Sequence, residues 1–203
     1  MGSDYVVHIV DDEEPVRKSL AFLLTTEGFA VRLHESATSF LKLAPGLRNA
    51  CLVTDLHMPG LDGVELLRSL RVQGIKIPAI VITGHGDVPM AVSAMKAGAL
   101  DFIEKPFEDQ LLIDSVHRAA DQIAQDPAAD SVEVNSRLAT LTDREREVLA
   151  GIVAGHPNKT VAYDLDISPR TVEVHRANIM VKMGARSLAD LVRKTISAGA
   201  MPG

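Results

Sequence analysis

The run Cys51-Leu52-Val53-Thr54 is apolar at consecutive positions and stops on Asp55, after which Met58-Pro59-Gly60 turns the chain. Unbroken apolarity over so short a length belongs to a strand buried on both faces, which points to a parallel sheet. Asp55 then stands at the carboxyl end of a central strand, where open α/β sheets bind their ligands. An aspartate at a strand end, taken alone, more often solvates the chain than reacts. The other strands decide the matter.

Four more short apolar runs accompany it. Residues 5–10 end at Asp11-Asp12-Glu13-Glu14, residues 30–34 form a second run, residues 78–83 end on Thr83, and residues 100–103 precede Glu104-Lys105-Pro106-Phe107. Helical spacing fills the gaps. Pro15 takes a first helical position ahead of Val16, Leu20, Leu23 and Leu24, and Gly28 ends that helix. Further helices are expected over 36–43, 64–70, 88–97 and from 109 past 123, with Pro45-Gly46, Gly74 and Gly98 as stops. Strands alternating with helices predict a doubly wound, five-stranded parallel sheet over residues 1–124.

In such a sheet every strand ends on one rim. There the sequence sets Asp11, Asp12, Asp55, Thr83 and Lys105. Converging carboxylates repel and call for a cation, and oxygen ligands near a lysine suit Mg²⁺, which joins one or two carboxylates to a phosphate. A carboxylate also serves as nucleophile toward phosphorus. Lys105 and Mg²⁺ would neutralise charge on the phosphoryl oxygens, with the Thr83 hydroxyl binding one of them.

This set resembles the receiver domain of two-component response regulators, with a flavodoxin/CheY-like fold. The resemblance implies Asp55 as phosphoacceptor, Asp11 and Asp12 as the metal-binding acidic pair, and Thr83 and Lys105 as the switch hydroxyl and phosphate-contacting lysine. It implies a metal-binding backbone carbonyl at His57, whose imidazole is not implicated, a cis Lys105–Pro106 bond, and Phe102 as the aromatic that turns inward with Thr83. It also implies pairing of two receivers, for which Val92, Lys96 and Asp101 are the candidates, Lys96 of one chain meeting Asp101 of the other. His8, His34, His85 and His117 show no metal-ligand spacing and are expected to be surface or strand histidines.

Residues 125–137 are polar, sparse in large apolar side chains and carry Pro127, as a linker does. Beyond them Thr142 and Glu145 form a capping box ahead of Val148, Leu149, Ile152 and Val153. A short helix over 158–164, a turn at Asp166-Ile167, and a helix from Ser168-Pro169 to Met183 read as helix-turn-helix, and Ser187 starts a last helix. Val172, Ile179 and Met183 are expected to face the core. Residues 138–203 are thus an all-α, four-helix unit.

The segment 141–183, with Ser168-Pro169-Arg170-Thr171-Val172-Glu173-Val174-His175-Arg176, resembles the LuxR-type DNA-binding domain. That implies phosphate contacts from Lys159, Arg170, Thr171, His175 and Lys182, and base-edge contacts from Glu173, Val174, Arg176 and Ala177. Charge supports two units with different partners. Residues 1–124 carry 17 acidic and 11 basic side chains, and residues 125–203 carry 10 of each. A near-neutral reader of double-stranded DNA needs two copies on paired half-sites.

A receiver followed by a LuxR-type output resembles the NarL/FixJ group of response regulators. The segments Val10-Asp11-Asp12-Glu13, Thr83-Gly84-His85-Gly86-Asp87-Val88-Pro89 and Asp101-Phe102-Ile103-Glu104-Lys105-Pro106-Phe107 bring it nearest the FixJ branch. That implies a FixL-like sensor histidine kinase as phosphodonor and a homodimer when phosphorylated. It also implies relief of inhibition of the output domain, and activation of nitrogen-fixation or microaerobic genes. Two other classes compete. A phosphohydrolase with Asp55 as nucleophile usually has an aspartate two residues on, where this chain has His57. A receiver with a protein-binding helical output would show no salt-dependent affinity for DNA. The single cysteine, Cys51, excludes an internal disulfide. No apolar run nears the ~20 residues that span a bilayer, and the first residues lack a leader pattern. A cytoplasmic protein is expected.

Overall fold

A computed structural model of the chain describes residues 5–84, 86–124 and 130–198, which form two compact units. The sheet comprises β1 (Val6–Val10), β2 (Ala30–His34), β3 (Ala50–Asp55), β4 (Ala79–Thr83) and β5 (Asp101–Glu104). All pairings are parallel, in the order β2-β1-β3-β4-β5. β4 is buried throughout and β3 up to a half-buried Asp55, as their unbroken apolar sequences require. β2 lies at an edge and buries only His34.

The helices are α1 (Glu14–Thr26), α2 (Ala37–Leu41), α3 (Gly63–Val72), α4 (Val88–Ala97) and α5 (Asp109–Ala124). One face of the sheet, including Val7, Ile9, Val53, Ile80, Ile82 and Ile103, packs with Leu20 and Leu24 of α1 and with Leu112 and Val116 of α5. Each such aliphatic side chain, fully buried, contributes roughly 1.5–3 kcal/mol. Free Cys51 sits in the same core as a small hydrophobe. α2 is shorter than the sequence suggests, because Ala44–Gly46 forms a 3-10 turn ahead of β3.

The register fixes what reaches the rim. Val10 aligns with Thr54, Asp55 with Ile82, and Thr83 with Glu104. Asp11 therefore follows β1, Asp55 and Thr83 close β3 and β4, and Lys105 follows β5.

The second unit holds α7 (Asp143–Ala154), α8 (Asn158–Asp164), α9 (Pro169–Met183) and α10 (Leu188–Ser197), preceded by α6 (Asp130–Ala139), and it also takes in residues 87–96, nearly all of α4. Thr142 and Glu145 make the expected capping box, and Ser168 and Ser187 cap α9 and α10. Gly155 and Gly184 adopt left-handed φ values of 91° and 56°, which glycine takes without steric cost, and so close α7 and α9. Val172, Ile179 and Met183 are fully buried, as their spacing predicts. α6 is a departure. It runs through the stretch expected as linker, and its Val134 is buried while the Arg137 guanidinium fills the space beside Gly184. The rest of the boundary expected over 125–137, residues 125–129, lies outside the described residues.

Candidate functional site

The rim is assembled around one ammonium group. Lys105 Nζ lies 3.0 Å from Asp55 Oδ1 and 3.4 Å from Asp11 Oδ2. Asp55 Oδ2 accepts the His57 amide at 2.6 Å, and Asp11 Oδ1 accepts the Glu13 amide at 2.8 Å. Arg17 Nη1 donates to the Asp11 carbonyl at 2.5 Å, holding the start of α1 against the rim. Burial raises the Asp11 carboxyl above the usual carboxylate range and Asp55 adds to the effect, while the Glu13 amide and Lys105 oppose it. Burial would lower the Lys105 ammonium, but Asp55 and Asp11 outweigh it and hold the group above its ordinary value. One cation thus faces two carboxylates, and the local balance stays negative.

That imbalance fits a divalent cation with oxygen ligands. Asp12, the third carboxylate of the expected set, is exposed. Among the described residues no three His, Cys, Asp or Glu side chains form a ready metal cluster. Two carboxylates completed by a carbonyl and waters match the habits of Mg²⁺.

Thr83 is fully buried, and its carbonyl accepts the Lys105 amide at 2.7 Å, so the two rim residues are joined through the main chain. The Lys105–Pro106 peptide is cis. Phe102 is half-buried beside the segment after β4, where a Cβ on Gly86 would lie 3.1 Å from its ring. The His57 imidazole makes a contact that the sequence did not foretell. Its imidazole Nδ1 lies 3.3 Å from Thr83 Oγ1.

Two glycines bear on the rim in ways that the sequence reading did not draw. A Cβ on Gly63 would come within 2.5 Å of the Asp55 carbonyl oxygen, and the Gly63 amide donates to the Leu56 carbonyl at 2.9 Å, so α3 begins pressed on the end of β3. The capping box of Asp62 with Glu65 fixes that start, and Asp-x-x-Glu was its available signal. Gly86 carried no such mark.

The expected pairing residues are placed less openly. Asp101 is buried, and its Oδ2 accepts Ser115 Oγ at 2.7 Å and pairs with Arg118. Val92 is buried and Lys96 exposed. His8 and His34 are strand histidines, as one of the two expectations had it, and lie inside the fold. They are 1% and 8% exposed, their rings stack, and His8 Nδ1 lies 2.9 Å from His34 Nε2. His117 packs on Phe29, and His85 lies outside the described residues.

On the helical unit, Lys159, Arg170, Glu173, Val174 and Ala177 are exposed, and Thr171, His175 and Arg176 are half-buried. His175 Nδ1 is buried with no hydrogen-bond partner among the described residues. Lys182 is placed otherwise than on an open DNA-facing surface. Its Nζ bonds buried Glu145 at 2.6 Å and reaches the Thr140 carbonyl at 3.4 Å. The Lys182 ammonium holds the Glu145 carboxyl below its ordinary range. The lysine therefore serves the junction of α7 and α9, because its long stem turns back to a carboxylate that no helical-wheel projection reveals.

Comparison with known proteins agrees with both halves. Residues 7–117 match the family described as "Response regulator receiver domain", and residues 139–195 the family described as "Bacterial regulatory proteins, luxR family". The chain is 62% identical to the transcriptional regulatory protein FixJ of Rhizobium meliloti (strain 1021) over 202 residues, covering 98% of this chain and 99% of that one. FixJ of Azorhizobium caulinodans is 53% identical over 206 residues, covering 100% and 97%. The crystal structure of full-length FixJ from B. japonicum aligns with a TM-score of 0.59 at 46% identity, covering 99% of this chain and 100% of that one. A rim of two carboxylates around a lysine on a parallel sheet, a capped helix-turn-helix and end-to-end likeness to these regulators converge on one conclusion: the chain belongs to the FixJ-like response regulators, transcriptional regulators that join a receiver domain to a LuxR-type DNA-binding domain.

Proposed function

We propose that Asp55 is a reversible phosphoryl carrier that sets the DNA affinity of the helical unit. A carboxylate oxygen of Asp55 attacks the phosphorus of a phosphohistidine on a sensor kinase. The P–N bond breaks, and the histidine nitrogen leaves with the electron pair. The observation that carries this proposal is Lys105 Nζ shared between Asp55 and Asp11 at 3.0 and 3.4 Å, a preset cation where phosphoryl charge collects. Asp11, Asp12, Asp55 and the His57 carbonyl would hold Mg²⁺, which supplies further charge neutralisation on the phosphoryl oxygens. Lys105 follows the transferred group, Thr83 donates its hydroxyl to a phosphoryl oxygen, and Phe102 moves into the space that Thr83 vacates. With His57 where a phosphohydrolase places its second aspartate, the chain is a carrier without turnover of phosphomonoesters.

Pairing of two receivers is assigned to Val92, Lys96 and Asp101. Asp101 already carries Arg118 and Ser115, so a lysine from a second copy joins an existing ion pair. On DNA, Lys159, Arg170, Thr171 and His175 hold phosphates, and Glu173, Val174, Arg176 and Ala177 meet base edges. The FixJ relatives extend the proposal to a FixL-like, oxygen-responsive kinase and to nitrogen-fixation or microaerobic promoters, in the cytoplasm where both act. The test is phosphoryl transfer from a labelled FixL-like kinase. Wild type takes up label, Asp55→Asn and Mg²⁺-chelated wild type do not, and label on Asp55→Asn equal to wild type refutes the assignment.

A further inference from the structure

The His57 side chain lies outside the roles assigned so far. The chain leaves β3 at Asp55, and the His57 amide bonds Asp55 Oδ2 at 2.6 Å, which fixes the backbone at that step. The side chain then reaches toward the next strand, where Nδ1 stands 3.3 Å from the hydroxyl of fully buried Thr83. A neutral imidazole with its proton on Nε2 presents Nδ1 as an acceptor, and a threonine hydroxyl has a single hydrogen to donate. A hydroxyl that donates to His57 is not at that moment available to a phosphoryl oxygen.

We infer that His57 is a positioning residue that holds the Thr83 hydroxyl in its resting place and competes with the phosphoryl group for it. The inference rests on Asp55 as acceptor and Thr83 as phosphate donor. It adds that this chain weights its switch toward the resting side through the second residue after the acceptor. The bond is long and half-exposed, so its worth is that of one modest neutral hydrogen bond, about two- to fivefold in an equilibrium.

Beryllofluoride, a mimic of the acyl phosphate, is titrated onto the full-length protein in Mg²⁺ and followed by calorimetry. His57→Leu lowers the half-saturating concentration about two- to fivefold. His57→Asn, which keeps a polar atom near the place of Nδ1, lowers it less than His57→Leu does. In a Thr83→Ala background, His57→Leu has no effect. Both substitutions leave the His57 amide and carbonyl in place on an exposed position. No change on His57→Leu, or the same change with Thr83 absent, overturns the inference while leaving the carrier intact. Wild type that binds no beryllofluoride overturns the acceptor assignment and this inference with it.

Discussion

At the scale of single residues the rim is a problem in charge. Asp11 is nearly buried, faces Asp55 and shares one ammonium with it, so its ionised form is disfavoured in the resting fold. A carboxyl held above its ordinary range lowers stability at neutral pH, and the loss is relieved as pH falls and the group protonates. Asp11→Asn is therefore expected to raise the unfolding temperature of the sheet unit by roughly 2–5 °C while weakening phosphoryl uptake at limiting Mg²⁺. Thermal melts beside label transfer check it, and a lower melting temperature refutes the account. Most of this rim was legible in the sequence because a parallel sheet delivers every strand end to one edge. The contact of the His57 ring with Thr83 was not, since side-chain reach across two strands has no periodic signature.

Between elements, register creates neighbours that spacing conceals. His8 pairs across from Arg32, and Val10 from His34, so the two histidines fall on one face of adjacent strands, with Phe40 edge-on to both. Burial first, then His34 and Arg32, hold the His8 imidazole down at about 4, and burial and Arg32 lower His34 as well. Both groups titrate below their ordinary value near 6.5, so the unfolded chain binds protons first and stability is complete above that value. Between about pH 6.5 and 4 the sheet unit should lose on the order of 2 kcal/mol. Urea midpoints measured across this window should fall for wild type and stay flatter for His8→Phe; equal slopes would remove the histidine pair as the cause. Nothing in the sequence marked these residues as partners. The strand positions were readable, but the stagger between β1 and β2 was not.

Across the whole chain, division of labour was visible in charge and patterning, because a parallel α/β signature gives way to capped, short helices. α6 was missed because its stretch is mostly polar, and among the described residues its hold on the unit includes buried Val134, an arginine seated against Gly184 and the Arg146 guanidinium on the Ala139 carbonyl. Lys182 was misplaced for a related reason: an outward position on a helix does not say where a flexible stem ends. The distinction is measurable in salt. With Lys159 and Arg170 from each of two copies on phosphates, the logarithm of affinity should fall with the logarithm of salt at a slope of about 4. Arg170→Ala should reduce that slope by about 2, whereas Lys182→Met should leave it unchanged and destabilise the helical unit by roughly 1–3 kcal/mol. A slope that drops for Lys182→Met returns that lysine to the DNA. In the sheet, the Lys105 amide and the Thr83 carbonyl are stitched at 2.7 Å, a main-chain bond that does not depend on which partners their side chains take. Under the switching proposed above, that frame can stay still: charge added at one aspartate need only turn a few side chains, and once the phosphoryl group has left nothing in the backbone has to be rebuilt.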